Sequence, residues 1–77
     1  MKKVWAYVFI TTNEPKKVVR KVRKIAGVTK VDGLFGSPDV IAIVEGKDIQ
    51  SMDSVIDRIA KIPEVAGTDS KVARWLG

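Results

Sequence analysis

Two stretches of this chain are apolar on both sides of an extended strand, and that constrains the possible folds more than any other feature. Residues 3–11, Lys-Val-Trp-Ala-Tyr-Val-Phe-Ile-Thr, consist mainly of the β-branched and aromatic types that favour strands. Side chains alternate across a strand, so Val4, Ala6, Val8 and Ile10 share one face while Trp5, Tyr7 and Phe9 share the other. Residues 40–45 repeat the arrangement, with Val40, Ala42 and Val44 opposed to Ile41 and Ile43. A sheet built on these strands has apolar surface front and back, and both faces need cover.

Helical patterns supply the cover for one face. Pro15 suits the first turn of a helix, and Thr12 or Asn13 stands where a cap is expected. Over residues 16–26, Val18, Val19, Val22 and Ile25 recur at helical spacing. Lys16, Lys17, Arg20, Lys21, Arg23 and Lys24 fill the opposite side, and Gly27 ends the helix. Residues 28–35, with Val28, Val31, Leu34 and Phe35, predict a second strand. Gly36-Ser37-Pro38 then turns the chain into residues 40–45, a central third strand, so these two form a hairpin. Asp48 or Ser51 opens a second helix with the apolar stripe Ile49, Met52, Val55, Ile56, Ile59 and Ile62, which Pro63 terminates. Residues 65–76, including Val72, Ala73, Trp75 and Leu76, predict a fourth strand.

The order is βαββαβ, with a faint internal repeat at a spacing of 37. Lys24-Ile25-Ala26-Gly27-Val28 aligns with Lys61-Ile62-Pro63-Glu64-Val65. Two β-α-β halves give an α+β, ferredoxin-like layout, in which right-handed crossovers place two helices on one face of a four-stranded antiparallel sheet. The 77 residues make one domain, 1–77, and a chain this short buries only about 60% of its unfolded surface. The smaller strand residues are expected to lie beneath the helices. Trp5, Tyr7 and Phe9, with Ile41 and Ile43, then face outward as an apolar patch of the kind that marks an interface. No remaining segment is long enough to fold over that patch. The expectation is a homodimer paired through sheet faces, itself a building block for a larger ring.

Composition narrows the chemistry. There is no cysteine and no histidine, so disulfides, thiolate chemistry, imidazole general bases and the commonest metal ligands are all unavailable. No catalytic residues, metal site or cofactor are expected. The carboxylates Glu45 and Asp48 fit turn and cap chemistry at a strand-to-helix junction. Gly33, Gly36 and Gly46 do not form a phosphate loop. The basic start and the seven apolar residues 4–10 lack an export cleavage pattern, and no stretch approaches the ~20 apolar residues of a membrane span. A cytoplasmic location is therefore expected. The net charge of +5 and the six cations between Lys16 and Lys24 raise nucleic-acid binding as a question. Base stacking on a sheet needs aromatics on the central strands, and the third strand has none.

Asp39 follows the turn directly and precedes a central strand. It can accept from a ligand's ammonium group or bond nearby amides within the turn. Around it, Leu34-Phe35-Gly36-Ser37-Pro38-Asp39-Val40-Ile41-Ala42 resembles the G-x-x-D hairpin of the effector-binding (RAM) domain of Lrp/AsnC transcription regulators. Ile25-Ala26-Gly27-Val28 resembles that family's I-P-G-V ending to the first helix, and Ile62-Pro63-Glu64-Val65 the matching end of the second. The likeness runs over essentially the whole chain. It implies a βαββαβ domain of dimeric α/β-barrel type that pairs face to face, assembles into octameric or decameric rings and binds a small amino acid effector between dimers. The first strand begins at Lys3, so the chain looks like a stand-alone module without its own DNA-binding domain, able to co-assemble with full-length regulators.

By the same resemblance, Gly36 and Asp39 belong to the ligand site, Leu34, Phe35 and Ser37 flank it, and Thr68 and Ser70 line the opposing wall. Pro38 stands where the family often has an aromatic residue. Two other functions share the fold order: an ACT-like amino-acid-binding regulatory domain, whose subunits pair edge to edge, and a small dimeric α+β barrel enzyme. The aromatic face argues against the first, and the missing histidine and cysteine argue against the second.

Overall fold

The computed structural model describes residues 3–73. Six elements follow in the expected order: β1 (Val4–Thr12), α1 (Pro15–Arg23), β2 (Val28–Gly33), β3 (Val40–Gly46), α2 (Ile49–Ala60) and β4 (Val65–Val72). The strands form one antiparallel sheet in the order β2-β3-β1-β4, which puts the two doubly apolar strands in the middle. Trp75 and Leu76, assigned to the fourth strand from sequence, lie outside the described residues; Ala73 continues the pairing one step past β4, its N–H donating to Trp5 O at 2.9 Å.

Both helices pack on the face carrying the smaller strand residues. Ala6, Val8, Ile10, Val31, Val40, Ala42 and Val44 form the core with Val18 and Val22 of α1 and Met52 and Ile59 of α2. Burial of these side chains is the main drive to fold, at roughly 25 cal/mol per Å² of apolar surface.

The 37-residue repeat is real in the backbone. Each helix ends in a C-cap with right-handed helical dihedrals, Lys24 and Lys61. Ile25 N–H donates to Val22 O and Val28 N–H to Ile25 O; Ile62 N–H donates to Ile59 O and Val65 N–H to Ile62 O. The first helix therefore closes at Arg23 rather than Ala26. A tighter turn follows it and still carries Ile25 to the core.

The two halves differ at Gly27, which has φ +98°. A Cβ there would lie 2.7 Å from Val55 Cγ2. Gly27→Ala is expected to lower stability by about 2 kcal/mol through backbone strain and this clash. The readout is the denaturant midpoint, and an unchanged midpoint contradicts the assignment.

The start of α1 departs from expectation. Neither Thr12 nor Asn13 caps it; Glu14 holds that position and makes no side-chain cap bond. Asp48 does cap α2, accepting from Ser51 N–H at 2.7 Å. That bond holds the Asp48 carboxyl below the ordinary aspartate range. The hydrogen bond from Lys21 Nζ, at 2.6 Å, does the same for Glu64. Carboxyls held low in the folded state add stability above the unfolded value near ~4, and that stability disappears as pH falls through the folded values. The melting temperature is expected to drop on acidification below about pH 5, and less steeply in Glu64→Gln. Identical slopes for the two proteins would refute this assignment.

Candidate functional site

The bare sheet face has a definite layout. Trp5, Tyr7 and Phe9 pair in register with Glu45, Ile43 and Ile41. Residues opposed across antiparallel strands point the same way, so Tyr7, Phe9, Ile41 and Ile43 form an apolar strip along the two central strands. Trp5 extends the strip at one end. Trp5 and Tyr7 keep 36% and 38% of their surface exposed, while Phe9, Ile41 and Ile43 are half-buried. Charge brackets the strip on both edges. On β2, Lys30 and Asp32 pair with Ile43 and Ile41 and face each other at 3.6 Å. On β4, Lys71 and Asp69 pair with Tyr7 and Phe9 and face each other at 3.7 Å. An apolar centre with a charged rim is the anatomy of a protein interface.

At the end of β1 the chain builds a small node on Thr12, the one buried polar residue among those described. Its N–H donates to Asp39 Oδ2 at 2.9 Å, its hydroxyl donates to Glu64 O at 2.6 Å, and its Oγ1 accepts from Glu14 N–H at 2.9 Å. Asp39 N–H also donates to Ile10 O at 3.0 Å, and Leu34 N–H to Asp39 O at 2.7 Å. The 34–39 loop is thus closed at its neck and fastened to the end of β1. Asp39 spends one carboxylate oxygen on a β1 amide rather than on an amide of its own turn.

Between this loop and the start of β4 lies a cleft of about 330 Å³, lined by Phe9, Thr11, Ser37, Pro38, Gly67, Thr68 and Asp69. Ser37 and Thr68 meet there. Gly36, with φ +94°, sits beside it on the loop, and no atom lies within 4 Å of where a Cβ would be, so its backbone is open to approach. Leu34 and Phe35 project from the loop, Phe35 fully exposed. Ser70 pairs with Val8, farther along β4, and Asp39 directs its carboxylate to the Thr12 N–H; neither lines the cleft. Sequence reasoning did not single out Thr11, Gly67 or Asp69 as site residues. The signal for them is the β1–β4 register, which sets Asp69 opposite Phe9 and Gly67 opposite Thr11. Among the described residues, no group of three or more acidic side chains is placed to hold a metal ion, and no helix is long and apolar enough to cross a membrane.

Fold, bare face and marginal cleft together define an α+β ferredoxin-like domain that presents one face of its sheet. Residues 5–73 match the model of the Lrp/AsnC ligand binding domain, and the chain belongs to that family. It is 38% identical over 56 residues to the HTH-type transcriptional regulator LysM of Saccharolobus solfataricus, a match covering 73% of this chain and 39% of LysM. TTHA0845 from Thermus thermophilus superposes with a TM-score of 0.87 at 23% identity, over 96% of each chain. The Neisseria meningitidis transcriptional regulator NMB0573, solved as its L-Met complex, superposes with a TM-score of 0.78 at 17% identity, over 94% of this chain and 50% of that one. At these identities the two structures speak to the fold alone. The chain spans well under half the length of LysM.

Proposed function

We propose that this chain is an amino-acid-responsive oligomerisation module of a transcription-regulatory system. It pairs with a second copy through the bare sheet face, and a small amino acid in the marginal cleft shifts that assembly. One observation carries the reading: Phe9 belongs to both surfaces, standing on the apolar strip and lining the cleft. A ligand there changes the surface that a partner copy would touch, and a ligand acts on assembly only through different affinities for two states. Family membership and the L-Met bound to the Neisseria regulator support an amino acid as the ligand class. The role is binding rather than catalysis, consistent with a chain that has no histidine or cysteine.

The parts divide naturally. Open loop amides around Gly36 suit the ligand carboxylate. Asp69, in the lining, suits its ammonium group. Asp39, with one oxygen committed to Thr12, positions the loop.

Calorimetric titration with each standard amino acid is expected to give saturable heat for at least one, with a Kd near or below ~1 mM. Asp69→Asn is expected to weaken that binding by about tenfold or more. No heat from any amino acid removes the ligand from the proposal.

A further inference from the structure

The six cations of the α1 region are not equivalent. Lys17 lies 3.4 Å from Glu14 and Lys21 lies 2.6 Å from Glu64, so acidic neighbours compensate one ridge of the helix. Lys16, Arg20 and Arg23, spaced i, i+4, i+7, form the neighbouring ridge and have no ion-pair partner among the described residues. That ridge borders β2, an edge strand with β3 as its single sheet neighbour. Two clefts run between helix and strand. One, of about 340 Å³, is lined by Pro15, Lys16, Val19, Arg20 and Gly33. The other, of about 280 Å³, is lined by Arg23, Val28, Thr29, Lys30 and Val31.

Three properties coincide along this groove. An edge strand offers a row of outward backbone N–H and C=O groups. The floor is apolar, with Val19 and Val28 half-buried and Val31 buried. The rim carries cations whose charge is not neutralised within the chain. Backbone pairing selects an extended peptide, and because its side chains alternate between the two faces of the sheet, the rim selects acidic ones at the positions turned toward α1. A nucleic-acid backbone would use the cations but neither the strand edge nor the floor.

We propose that the α1–β2 groove binds an extended acidic peptide segment, which adds to the sheet as a fifth strand beside β2. This surface lies on the helix side and outer edge of the sheet, so it is independent of pairing through the bare face.

The test is fluorescence anisotropy with the full chain and a labelled peptide of alternating glutamate and valine. Saturable binding is expected, weakened about tenfold or more by Lys16→Gln/Arg20→Gln/Arg23→Gln and by raising salt from roughly 20 to 200 mM. Lys47→Gln/Lys61→Gln, which removes charge elsewhere, is expected to have little effect. Gly33→Tyr leaves the charge intact and builds into open space at the groove, where no atom lies within 4 Å of a Cβ; it is expected to abolish binding while circular dichroism stays unchanged. A peptide of equal charge with every backbone nitrogen methylated lacks the N–H donors and is expected to bind at least about tenfold more weakly. Equal binding of the two peptides, insensitivity to Gly33→Tyr, or tighter binding of single-stranded DNA of the same charge would overturn the proposal, as would no binding at ~1 mM.

Discussion

Tyr7→Glu is expected to convert the protein into a species of 8.5 kDa in sedimentation velocity, with its fold intact by circular dichroism. Tyr7 stands mid-strip, opposite Ile43 on one side and Lys71 on the other. Magnitudes show why one residue can decide the outcome. An aromatic side chain presents up to roughly 250 Å², so the third still exposed on Trp5 or Tyr7 is about 80 Å², worth about 2 kcal/mol on burial. Four such side chains in a pair of copies contribute about 8 kcal/mol, within the 4–15 kcal/mol that association costs in lost freedom. Phe9, Ile41 and Ile43 must supply the surplus, which is modest. A carboxylate at position 7 removes two aromatic contributions and buries two unpaired charges, each at a cost of several kcal/mol. Pairing should weaken by at least about a hundredfold. Tyr7→Phe keeps the apolar body and is expected to keep the wild-type mass. A Tyr7→Glu protein that sediments like wild type would mean that this face is not where copies meet.

Thr12→Val is expected to cost about 2–3 kcal/mol although it is nearly isosteric. The substitution leaves the part-buried Glu64 carbonyl and Glu14 N–H without the bonds they make now, and these unsatisfied groups carry most of that penalty. For a domain of this size the melting temperature should fall by about 10 °C or more. The effect should extend to the cleft, because the Thr12 node joins the loop bearing Ser37 and Pro38 to the turn that leads into β4. Asp39 separates structure from charge. Asp39→Asn retains an acceptor oxygen for the Thr12 N–H and is expected to leave stability and ligand affinity within about 1 kcal/mol of wild type. Asp39→Ala loses the tether and is expected to lower both. If Asp39→Asn instead abolishes ligand binding in a fully stable protein, the aspartate touches the ligand and its positioning role is wrong.

The fold was legible because its signals are local. The apolar runs in residues 3–11 and 40–45 identify two strands and mark the second as central; in the structure β1 and β3 lie side by side in mid-sheet. The valine and isoleucine spacing marks both helices, and they cover the smaller-residue face as expected. The outward position of Trp5 and Tyr7 follows from the same alternation and is what the structure shows.

The cleft was less legible because its parts meet only after folding. Thr12 looks like a helix cap in sequence. Its role comes from partners 27 and 52 residues away. The charged rim was equally hidden. Lys30, Asp32, Asp69 and Lys71 are ordinary surface charges until the register lines them up beside Tyr7, Phe9, Ile41 and Ile43. The basic helix likewise divides into compensated and uncompensated ridges only once Glu14 and Glu64 are placed.

The central claim is that a second copy covers the aromatic face, and light scattering on the unmodified protein during dilution tests it most directly. An even multiple of 8.5 kDa is expected at micromolar concentration, with the dimer as the smallest species before any monomer appears. A mass of 8.5 kDa at every concentration would contradict the claim.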